Sequence, residues 1–216
     1  MAPAADAGEK TWQQTKSERT RTSILEAAMT CFYERGYFNT TTESIAREAG
    51  VSRGAMLHHF PTRADLIKAA VEHINQIRLD MFTQEELRTQ EGADHTRVDE
   101  GIDAYWRQLS TRVFVVFHEL KVAARTDRDL ARVLKPALKA YNRALAKASA
   151  QVFPDLAQSE AYQRTTFLTQ YLLEGMAITK LFEDETPVPE TMLLDWLKAE
   201  LKRSYRDVRG VSRRNR

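Results

Sequence analysis

The sequence is poor in cysteine, since Cys31 is the only one among its 216 residues. One thiol excludes a disulfide within the chain and leaves too few ligands for a cysteine-based zinc site. Long apolar runs are also absent, because no stretch approaches the roughly 18 uncharged apolar residues that a membrane-spanning helix needs. The first ten residues lack the apolar core of a signal peptide. We therefore expect a soluble cytoplasmic protein without a membrane partner, with Cys31 as a small core residue.

An excess of one charge is missing as well. The chain has 32 Lys and Arg against 30 Asp and Glu, for a formal net charge of +2, so whole-chain basicity does not argue for a nucleic-acid partner. The charge is unevenly spread, because the 19 residues from Lys198 onward carry +6 and the first 197 residues carry −4. We favour a solvated terminus as the interpretation of this tail, and an accessory phosphate-binding arm is the alternative.

Strand patterns are not found either. Apolar residues recur at helical spacing, and no alternating run is bounded by turn signals, so the sequence predicts an all-α fold. Gly36 is expected to end the first helix. Residues 40–42 offer hydroxyl N-caps for the second, and Glu43 is placed for a capping box if Thr40 is the cap. Ser52 is expected to cap a third helix over residues 53–59.

The rest of the chain also follows helical periodicity. A longer helix is expected from about Arg63, and the polar residues 84–97 are the expected boundary between an N-terminal and a C-terminal region. Pro136 should perturb one of the later helices, because proline lacks a backbone donor. The expected C-terminal helices include residues 105–120, 130–145, 167–182 and 192–205.

Residues 42–57 hold the pattern that is most informative about function. Two short helices can cross steeply at a tight turn only if their backbones approach closely, which favours a very small residue four positions before a turn glycine. Ala46 and Gly50 occupy these positions, and Gly50 can adopt a positive φ without a Cβ clash. This is the layout of a helix-turn-helix, whose second helix enters the DNA major groove; two core helices joined by a glycine turn are the alternative. The inward-facing positions are Ile45, Ala49, Val51 and Met56.

The wider context, about residues 19–75, contains in order Ile24-Leu-Glu-Ala-Ala28, Phe32, Gly36-Tyr37, Thr40-Thr41, Ile45-Ala46, Ala49-Gly50-Val51-Ser52, Gly54, His59-Phe60 and Leu66. This series resembles the TetR/AcrR family of transcriptional regulators. The resemblance implies an all-α homodimer with an N-terminal three-helix DNA-binding unit and a C-terminal domain for ligand and dimer contacts. The implied boundaries are a flexible N-terminal arm (1–17), a helix-turn-helix DNA-binding domain (18–65), a ligand-binding and dimerisation domain (66–207) and a basic tail (208–216).

Carried over position by position, the resemblance implies a set of side chains that contact a palindromic operator in double-stranded DNA. Hydroxyls of the first helix of the motif would position phosphates, and the start of the second would meet base edges or backbone. Leu57 departs from the pattern, since the family usually has a tyrosine there whose hydroxyl binds a phosphate. The implied DNA-binding residues are Thr41, Thr42, Ser52, Arg53, Gly54, Ala55, Leu57, His58, His59 and Arg63.

Apolar residues of the middle helices are candidates for a ligand cavity. By spacing alone a plain core explains them as well, and the resemblance is what favours a pocket for a small-molecule effector. His118, Glu119 and Arg125 are candidate polar anchors of such a site. The candidate lining residues are Met81, Phe82, Tyr105, Trp106, Leu109, Phe114, Phe117, His118 and Tyr141.

The last two predicted helices are apolar on more than one side, and such helices need cover on more than one side. A symmetry mate in a four-helix interface would provide it; a monomer that buries both faces is the alternative. The resemblance favours the homodimer. Its predicted interface residues are Phe167, Tyr171, Leu172, Gly175, Met176, Thr179, Leu193, Trp196, Leu197 and Leu201.

Signals for catalysis and metal binding are weak. Adjacent His58 and His59 on a helix point about 100° apart and share one ion poorly. His118 and the residue after it begin a zincin-like pattern, but Val122 occupies the second histidine position. We therefore expect no metal, cofactor or enzyme activity. The sequence predicts a DNA-binding regulator, most often a repressor released by an effector in such proteins; the alternatives are an enzyme that uses the C-terminal helical pocket and a helix-turn-helix module without effector.

Overall fold

The computed structural model describes residues 12–89, 94–152, 159–183 and 188–214, and within these ranges all regular elements are α-helices. The all-α class that the periodicity predicts is therefore confirmed. No helix in the described ranges is long and apolar enough to cross a membrane. The helices are α1 (Trp12–Arg35), α2 (Thr42–Glu48), α3 (Arg53–His59), α4 (Arg63–Thr89), α5 (Asp94–Leu109), α6 (Arg112–Ala123), α7 (Arg128–Val152), α8 (Glu160–Thr179) and α9 (Glu190–Arg214).

Several helix ends differ from the expected ones. Residues 12–17, expected in an arm, form the first turns of α1, and α4 continues to Thr89 through part of the polar stretch 84–97. Residues 208–214, expected as a tail, continue α9. A solvated helix has the same polar and charged composition as a loop or tail, so composition alone misplaced these ends.

The apolar stripe through residues 105–120 is divided between α5 and α6. The Ser110 hydroxyl donates to the Trp106 carbonyl at 3.3 Å, and the Thr111 hydroxyl donates to the Gln108 carbonyl at 2.7 Å. Such side chains compete with the backbone for hydrogen bonds. The helix therefore stops here although the apolar spacing continues.

Pro136 lies within α7 and does not end it. A perturbation was expected because proline cannot donate to the carbonyl of Arg132. Pro136 is exposed, so water can satisfy that carbonyl. Leu130 and Leu134 are buried on the preceding turns, and their packing holds this part of the helix in place.

The chain divides into two compact units, and unit 1 comprises Met1–His73 and Glu119–Leu134. The sequence did not predict that residues after the middle of α6 pack with the N-terminal helices. Cys31 is fully buried in this unit, and burial raises the pKa of its thiol, which confirms it as a core residue. The largest buried side chains of unit 1 include Ile24, Met29, Phe32, Ile45, Met56, Leu66 and Leu130.

Unit 2 comprises Ile74–His118 and Lys135–Arg216. The indole N–H of Trp106 donates to Glu190 at 2.6 Å, and Lys198 pairs with Asp103 at 2.6 Å, so α9 is joined to α5 by polar contacts. Compactness alone assigns neither DNA binding nor dimerisation, and the functional boundaries at residues 65 and 207 stay a prediction. The buried core of unit 2 consists of Ile102, Trp106, Leu109, Phe114, Leu173, Ala177, Leu194, Leu197 and Leu201.

Candidate nucleic-acid interface

Helix α2 starts with a reciprocal cap. The hydroxyl oxygen of Thr41 accepts the Ser44 N–H at 3.1 Å, and the Ser44 hydroxyl oxygen accepts the Thr41 N–H at 3.1 Å. Of the three candidate threonines the cap is thus Thr41, and the capping box uses Ser44 in place of Glu43. Thr40 is buried, and its hydroxyl lies within hydrogen-bond distance of two carbonyls near the end of α1. An acceptor role in the cap leaves the exposed Thr41 hydroxyl able to donate to a phosphate.

The turn between α2 and α3 is built on Gly50, whose φ is +66°. The Val51 N–H donates to the Ala46 carbonyl at 3.0 Å, and the Gly50 N–H donates to the Arg47 carbonyl at 3.1 Å. These two bonds form a Schellman motif, in which glycine is favoured at the residue with positive φ. Ala46 is buried, as the close approach of two short helices requires. The predicted helix-turn-helix is therefore present.

Helix α3 presents most of its side chains to solvent. Ser52 caps it by accepting the Ala55 N–H at 3.1 Å, as predicted. Met56 is its buried residue and anchors it to unit 1. A helix fixed by its cap and one buried side chain leaves an outer face for a large ligand such as a DNA groove. The exposed residues are Arg53, Gly54, Leu57 and His58.

Arg53 at the start of α3 lies beside the start of α2. Its guanidinium is 3.9 Å from the Glu43 carboxylate, and its side chain is 76% exposed. Glu43 also accepts the Thr42 hydroxyl at 3.2 Å. Hydrogen bonds from its own backbone N–H and from Thr42 hold the pKa of Glu43 below its ordinary value. Because an exposed ion pair of this length is weak, Arg53 can exchange Glu43 for a base edge or a phosphate.

Within the described part of the chain, packing does not explain the glycine at position 54. A Cβ on Gly54 would lie 3.9 Å from the Ser52 hydroxyl oxygen, which is an ordinary contact. Glycine inside a helix is destabilising by roughly 0.5–1 kcal/mol relative to alanine. The position therefore carries a cost that the fold does not require, which is consistent with the close approach of an external molecule.

We expect Gly54→Ala to raise the free energy of unfolding by roughly 0.5–1 kcal/mol and to weaken operator binding, because the added methyl group would meet the DNA. Urea denaturation measures the first effect and fluorescence anisotropy the second. Gly101→Ala is the matched control, since Gly101 lies in α5 with no atom within 4 Å of an added Cβ. It should stabilise the protein without changing the affinity for DNA. Operator affinity equal to that of the wild type would remove the role given to Gly54.

The remaining predicted residues of α3 are apolar or aromatic. Leu57 is 42% exposed and accessible to a sugar or a thymine methyl group. The rings of His58 and His59 lie 5.4 Å apart, edge to face. Burial, followed by His58 and Arg21, lowers the pKa of His59, so it is neutral near pH 7. No cluster of three His, Cys, Asp or Glu that could hold a metal occurs in the described ranges. Contacts of these side chains with DNA stay a prediction.

Arg63 is turned towards the link between α1 and α2. Its Nη1 donates to the Thr40 carbonyl at 2.8 Å, and its guanidinium carbon lies 5.3 Å from the centre of the Tyr37 ring. The side chain therefore braces this link, which the sequence did not predict. A phosphate contact stays a prediction and would use the donors of Arg63 that do not bond Thr40.

Tyr37 is a residue of this region whose role sequence reasoning missed. Its backbone N–H donates to Glu119 Oε1 at 2.7 Å, and its hydroxyl donates to Asp127 Oδ2 at 3.0 Å. Glu119 was expected as a polar anchor of the ligand pocket, and the structure places its carboxylate on the α1–α2 link instead. The partners are 82 and 90 positions from Tyr37, so no local pattern could signal these contacts.

Two of the predicted pocket residues enclose a charge that the sequence did not single out. The guanidinium carbon of Arg78 in α4 lies 3.6 Å from the centre of the Phe117 ring and 4.1 Å from that of the Tyr141 ring. Its Nη1 donates to the Asn75 side chain at 3.2 Å. Burial raises the pKa of Tyr141, so the phenol is neutral beside the cation. This geometry favours a cation held between two aromatic rings.

The carboxylate of Glu174 contacts two further predicted pocket residues. Glu174 in α8 accepts the Tyr105 hydroxyl at 3.5 Å, lies 3.3 Å from His118 Nε2, and accepts the Gln170 amide at 2.9 Å. Burial raises the pKa of Tyr105, which keeps its hydroxyl a donor. Sequence reasoning missed Glu174, because its position in the apolar pattern of α8 gave no signal of a polar cluster.

The other predicted pocket residues are mostly core. Trp106, Leu109 and Phe114 belong to the buried cluster of unit 2, while Met81 and Phe82 are half-buried on α4. The candidate anchor Arg125 is exposed. A cavity among these side chains stays a prediction.

The predicted dimer residues of α8 and α9 divide into an exposed and a buried set. Every fourth position of α8 is exposed at Phe167, Tyr171, Gly175 and Thr179, so these residues share one face. Trp196 on α9 is 58% exposed, while Leu172, Met176 and Leu193 are half-buried. Leu197 and Leu201 are buried in the core of unit 2, which corrects their assignment to an interface. The dimer itself stays a prediction.

Known proteins are similar to this chain over the helix-turn-helix region and beyond it. Residues 24–70 match the family model of bacterial regulatory proteins of the tetR family. An HTH-type transcriptional regulator of Mycobacterium tuberculosis is 28% identical over 173 residues, which are 78% of this chain and 86% of the relative. The regulator TtgR of Pseudomonas putida is 42% identical over 66 residues, 30% of this chain and 31% of that protein. Residues 24–70 therefore match the tetR family of bacterial regulatory proteins, and most of the chain is similar to a transcriptional regulator.

Solved structures resemble the fold of most of this chain. A TetR-family regulator from Rhodococcus sp. has a TM-score of 0.65 at 22% identity and covers 86% of this chain and 97% of its own. A second, from Mesorhizobium loti, has a TM-score of 0.68 at 17% identity and covers 88% and 96%. The multidrug binding protein EbrR, complexed with imidazole, has a TM-score of 0.55 at 19% identity and covers 85% and 93%. At these identities the likeness shows the fold, and it extends beyond the residues of the family model.

Proposed function

We propose that this TetR-family regulator is a repressor that binds a palindromic operator as a homodimer and is released by a small-molecule effector. The observation that carries the DNA-binding part is the outer face of α3, which Ser52 caps, Met56 anchors and Arg53 begins. Two copies of this face in a dimer would enter successive major grooves. The proposal assigns DNA binding to residues 18–65, and ligand binding and dimerisation to residues 66–207.

The exposed face of α8 and α9 supports the dimer. The rings of Phe167 and Tyr171 are stacked with centres 6.2 Å apart, and Trp196 adds a third exposed aromatic ring on α9. Large exposed apolar side chains on neighbouring turns, such as Phe167 and Tyr171, mark interaction sites on soluble proteins. A Cβ on Gly175 would meet no atom within 4 Å, so its small size leaves room for a partner helix. A second copy of the chain would cover this face with the same two helices, as in an isologous interface.

The clusters around Arg78 and Glu174 support an effector site. Small-molecule sites combine apolar walls with a few polar groups that fix the orientation of the ligand. The ring-enclosed guanidinium and the carboxylate next to Tyr105 and His118 are such groups. An effector that binds one arrangement of these side chains better than another would shift the population of DNA-binding conformations.

A mobility-shift titration with the DNA upstream of the protein's own gene tests binding and release together. We expect a discrete complex at moderate salt that unrelated competitor DNA does not remove, and its loss with one or more fractions of a metabolite extract. A reporter fused to the same DNA should rise when the gene is deleted. A reporter that falls would contradict repression, and a complex indifferent to every fraction would contradict release by an effector.

We expect Arg53→Ala to weaken operator binding about tenfold or more, since one base or phosphate contact is worth roughly 1–3 kcal/mol. Fluorescence anisotropy against the operator and against single-base variants measures affinity and base preference. Arg132→Ala is the matched control, because the Arg132 side chain is also 76% exposed and also pairs with a carboxylate, that of Asp129. Unchanged affinity together with unchanged base preference in Arg53→Ala would refute its role.

A further inference from the structure

Two carboxylates hold Tyr37 from opposite ends. Glu119 Oε1 in α6 accepts the Tyr37 N–H at 2.7 Å, and Asp127 Oδ2 in the α6–α7 link accepts the Tyr37 hydroxyl at 3.0 Å. Tyr37 is buried and lies two residues after the end of α1. Hydrogen bonds to ionised acceptors are stronger than those between neutral groups. The pair therefore fixes both the backbone and the side chain of the α1–α2 link.

The absence of a side chain at Gly36 leaves room for the Glu119 carboxylate beside the Tyr37 N–H. Gly36 has a φ of +74°, and a Cβ there would lie 3.0 Å from Glu119 Oε1. The Cβ of any other residue would clash with the carboxylate that accepts the Tyr37 N–H. The glycine at position 36 and the hydrogen bond of the Tyr37 N–H thus both depend on the close approach of the Glu119 carboxylate to the backbone.

The contacts continue from Tyr37 to the start of α2. The Tyr37 ring lies beneath the guanidinium of Arg63, which donates to the Thr40 carbonyl at 2.8 Å. The next residue, Thr41, caps α2 through the Ser44 N–H, and its carbonyl accepts the Ile45 N–H at 3.1 Å. Movement of Tyr37 would therefore also displace the first turn of α2.

The protonation states suit these bonds near pH 7. The backbone N–H of Leu130 and the hydroxyl of Tyr37 hold the pKa of Asp127 below its ordinary value. Burial, and then the bond to Asp127, raises the pKa of Tyr37. Asp127 is thus an ionised acceptor and Tyr37 a protonated donor.

We propose that Glu119 and Asp127 are positioning residues for DNA binding, because by holding Tyr37 they order the link from Gly36 to Thr41 and the first turn of α2. The effect on DNA rests on the proposed function, whereas the ordering of α2 does not.

Amide hydrogen exchange of the full-length protein without DNA tests the ordering. In Glu119→Ala we expect the Tyr37, Ser44 and Ile45 amides to exchange about tenfold faster, because a hydrogen bond to a charged group is lost. Glu119→Gln keeps an acceptor oxygen and should stay within about threefold of the wild type. Val122→Ala changes an exposed residue of the same helix and should leave these amides unchanged. Faster exchange confined to Tyr37 would overturn the proposal.

Operator affinity of the same variants tests the consequence for DNA. We expect Glu119→Ala to bind about tenfold more weakly, with Glu119→Gln restoring most of the affinity. Tyr37→Phe removes only the hydroxyl that bonds Asp127, and it should also weaken operator binding. This variant tests the proposal if Glu119→Ala fails to fold. Unchanged affinity despite faster exchange in α2 would overturn the positioning role. If the wild type itself lacked selective DNA binding, the proposed function would fail, and the exchange rates alone would decide the ordering.

Discussion

Tyr171→Glu is expected to convert the proposed dimer into monomers and to weaken operator binding at least about 100-fold, because a dimer would gain avidity from its second DNA-binding domain. Tyr171 is 66% exposed in the middle of the aromatic face of α8. A carboxylate at this position would lose its hydration in an apolar interface without gaining a partner. Analytical ultracentrifugation measures the assembly, and fluorescence anisotropy measures the affinity for the operator.

Val122→Glu is the matched control for this change. Val122 is 65% exposed and lies on α6, so the same acidic side chain enters a site of similar exposure outside the α8–α9 face. It should leave both the mass of the assembly and its operator affinity unaltered. A dimeric Tyr171→Glu protein would show that the interface lies elsewhere, and a monomer with full affinity would contradict the need for a dimer.

Gly36→Ala is expected to lower the free energy of unfolding by about 3 kcal/mol. A left-handed conformation costs a non-glycine residue roughly 1–2 kcal/mol. The added Cβ would also lie 3.0 Å from Glu119 Oε1, and displacing that carboxylate forfeits a charge-assisted bond to the Tyr37 N–H worth roughly 1.5–3 kcal/mol. Urea denaturation followed by circular dichroism measures the loss.

Gly50→Ala separates the two contributions. Gly50 has a similar φ of +66°, but an added Cβ there would meet no atom within 4 Å. Its substitution should therefore cost only about 1–2 kcal/mol. In a Glu119→Ala background, the cost of Gly36→Ala should fall to the same value. Equal costs for the two glycines in the wild-type background would show that Glu119 does not constrain position 36.

Local features of the helix-turn-helix could be predicted because their causes lie within a few residues. Ser52 bonds an amide three positions ahead, and Gly50 closes the helix that precedes it. The residue that caps α2 could not be chosen from the sequence, because Thr40 and Thr41 are both suitable caps. The choice depends on the burial of Thr40 against α1, which is a tertiary contact.

Features that depend on tertiary packing could not be predicted. Helix α9 carries apolar residues on two sides, and only the packed core shows that Leu201 faces inward while Trp196 faces outward. The contacts of Arg78 with two aromatic rings, and of Glu119 with Tyr37, join residues far apart in sequence. Periodicity reports which residues are apolar, and it carries no information about which helices become neighbours.

A protection footprint on the DNA upstream of the protein's own gene tests the central claim most directly. Recognition by α3 of a dimer predicts a protected palindrome whose half-sites lie about 10 base pairs apart, centre to centre, or a multiple of that spacing. The protection should be lost in Arg53→Ala and retained in Arg132→Ala. Uniform or absent protection at moderate salt, with and without small-molecule fractions, would contradict the assignment of α3 as a sequence-reading helix.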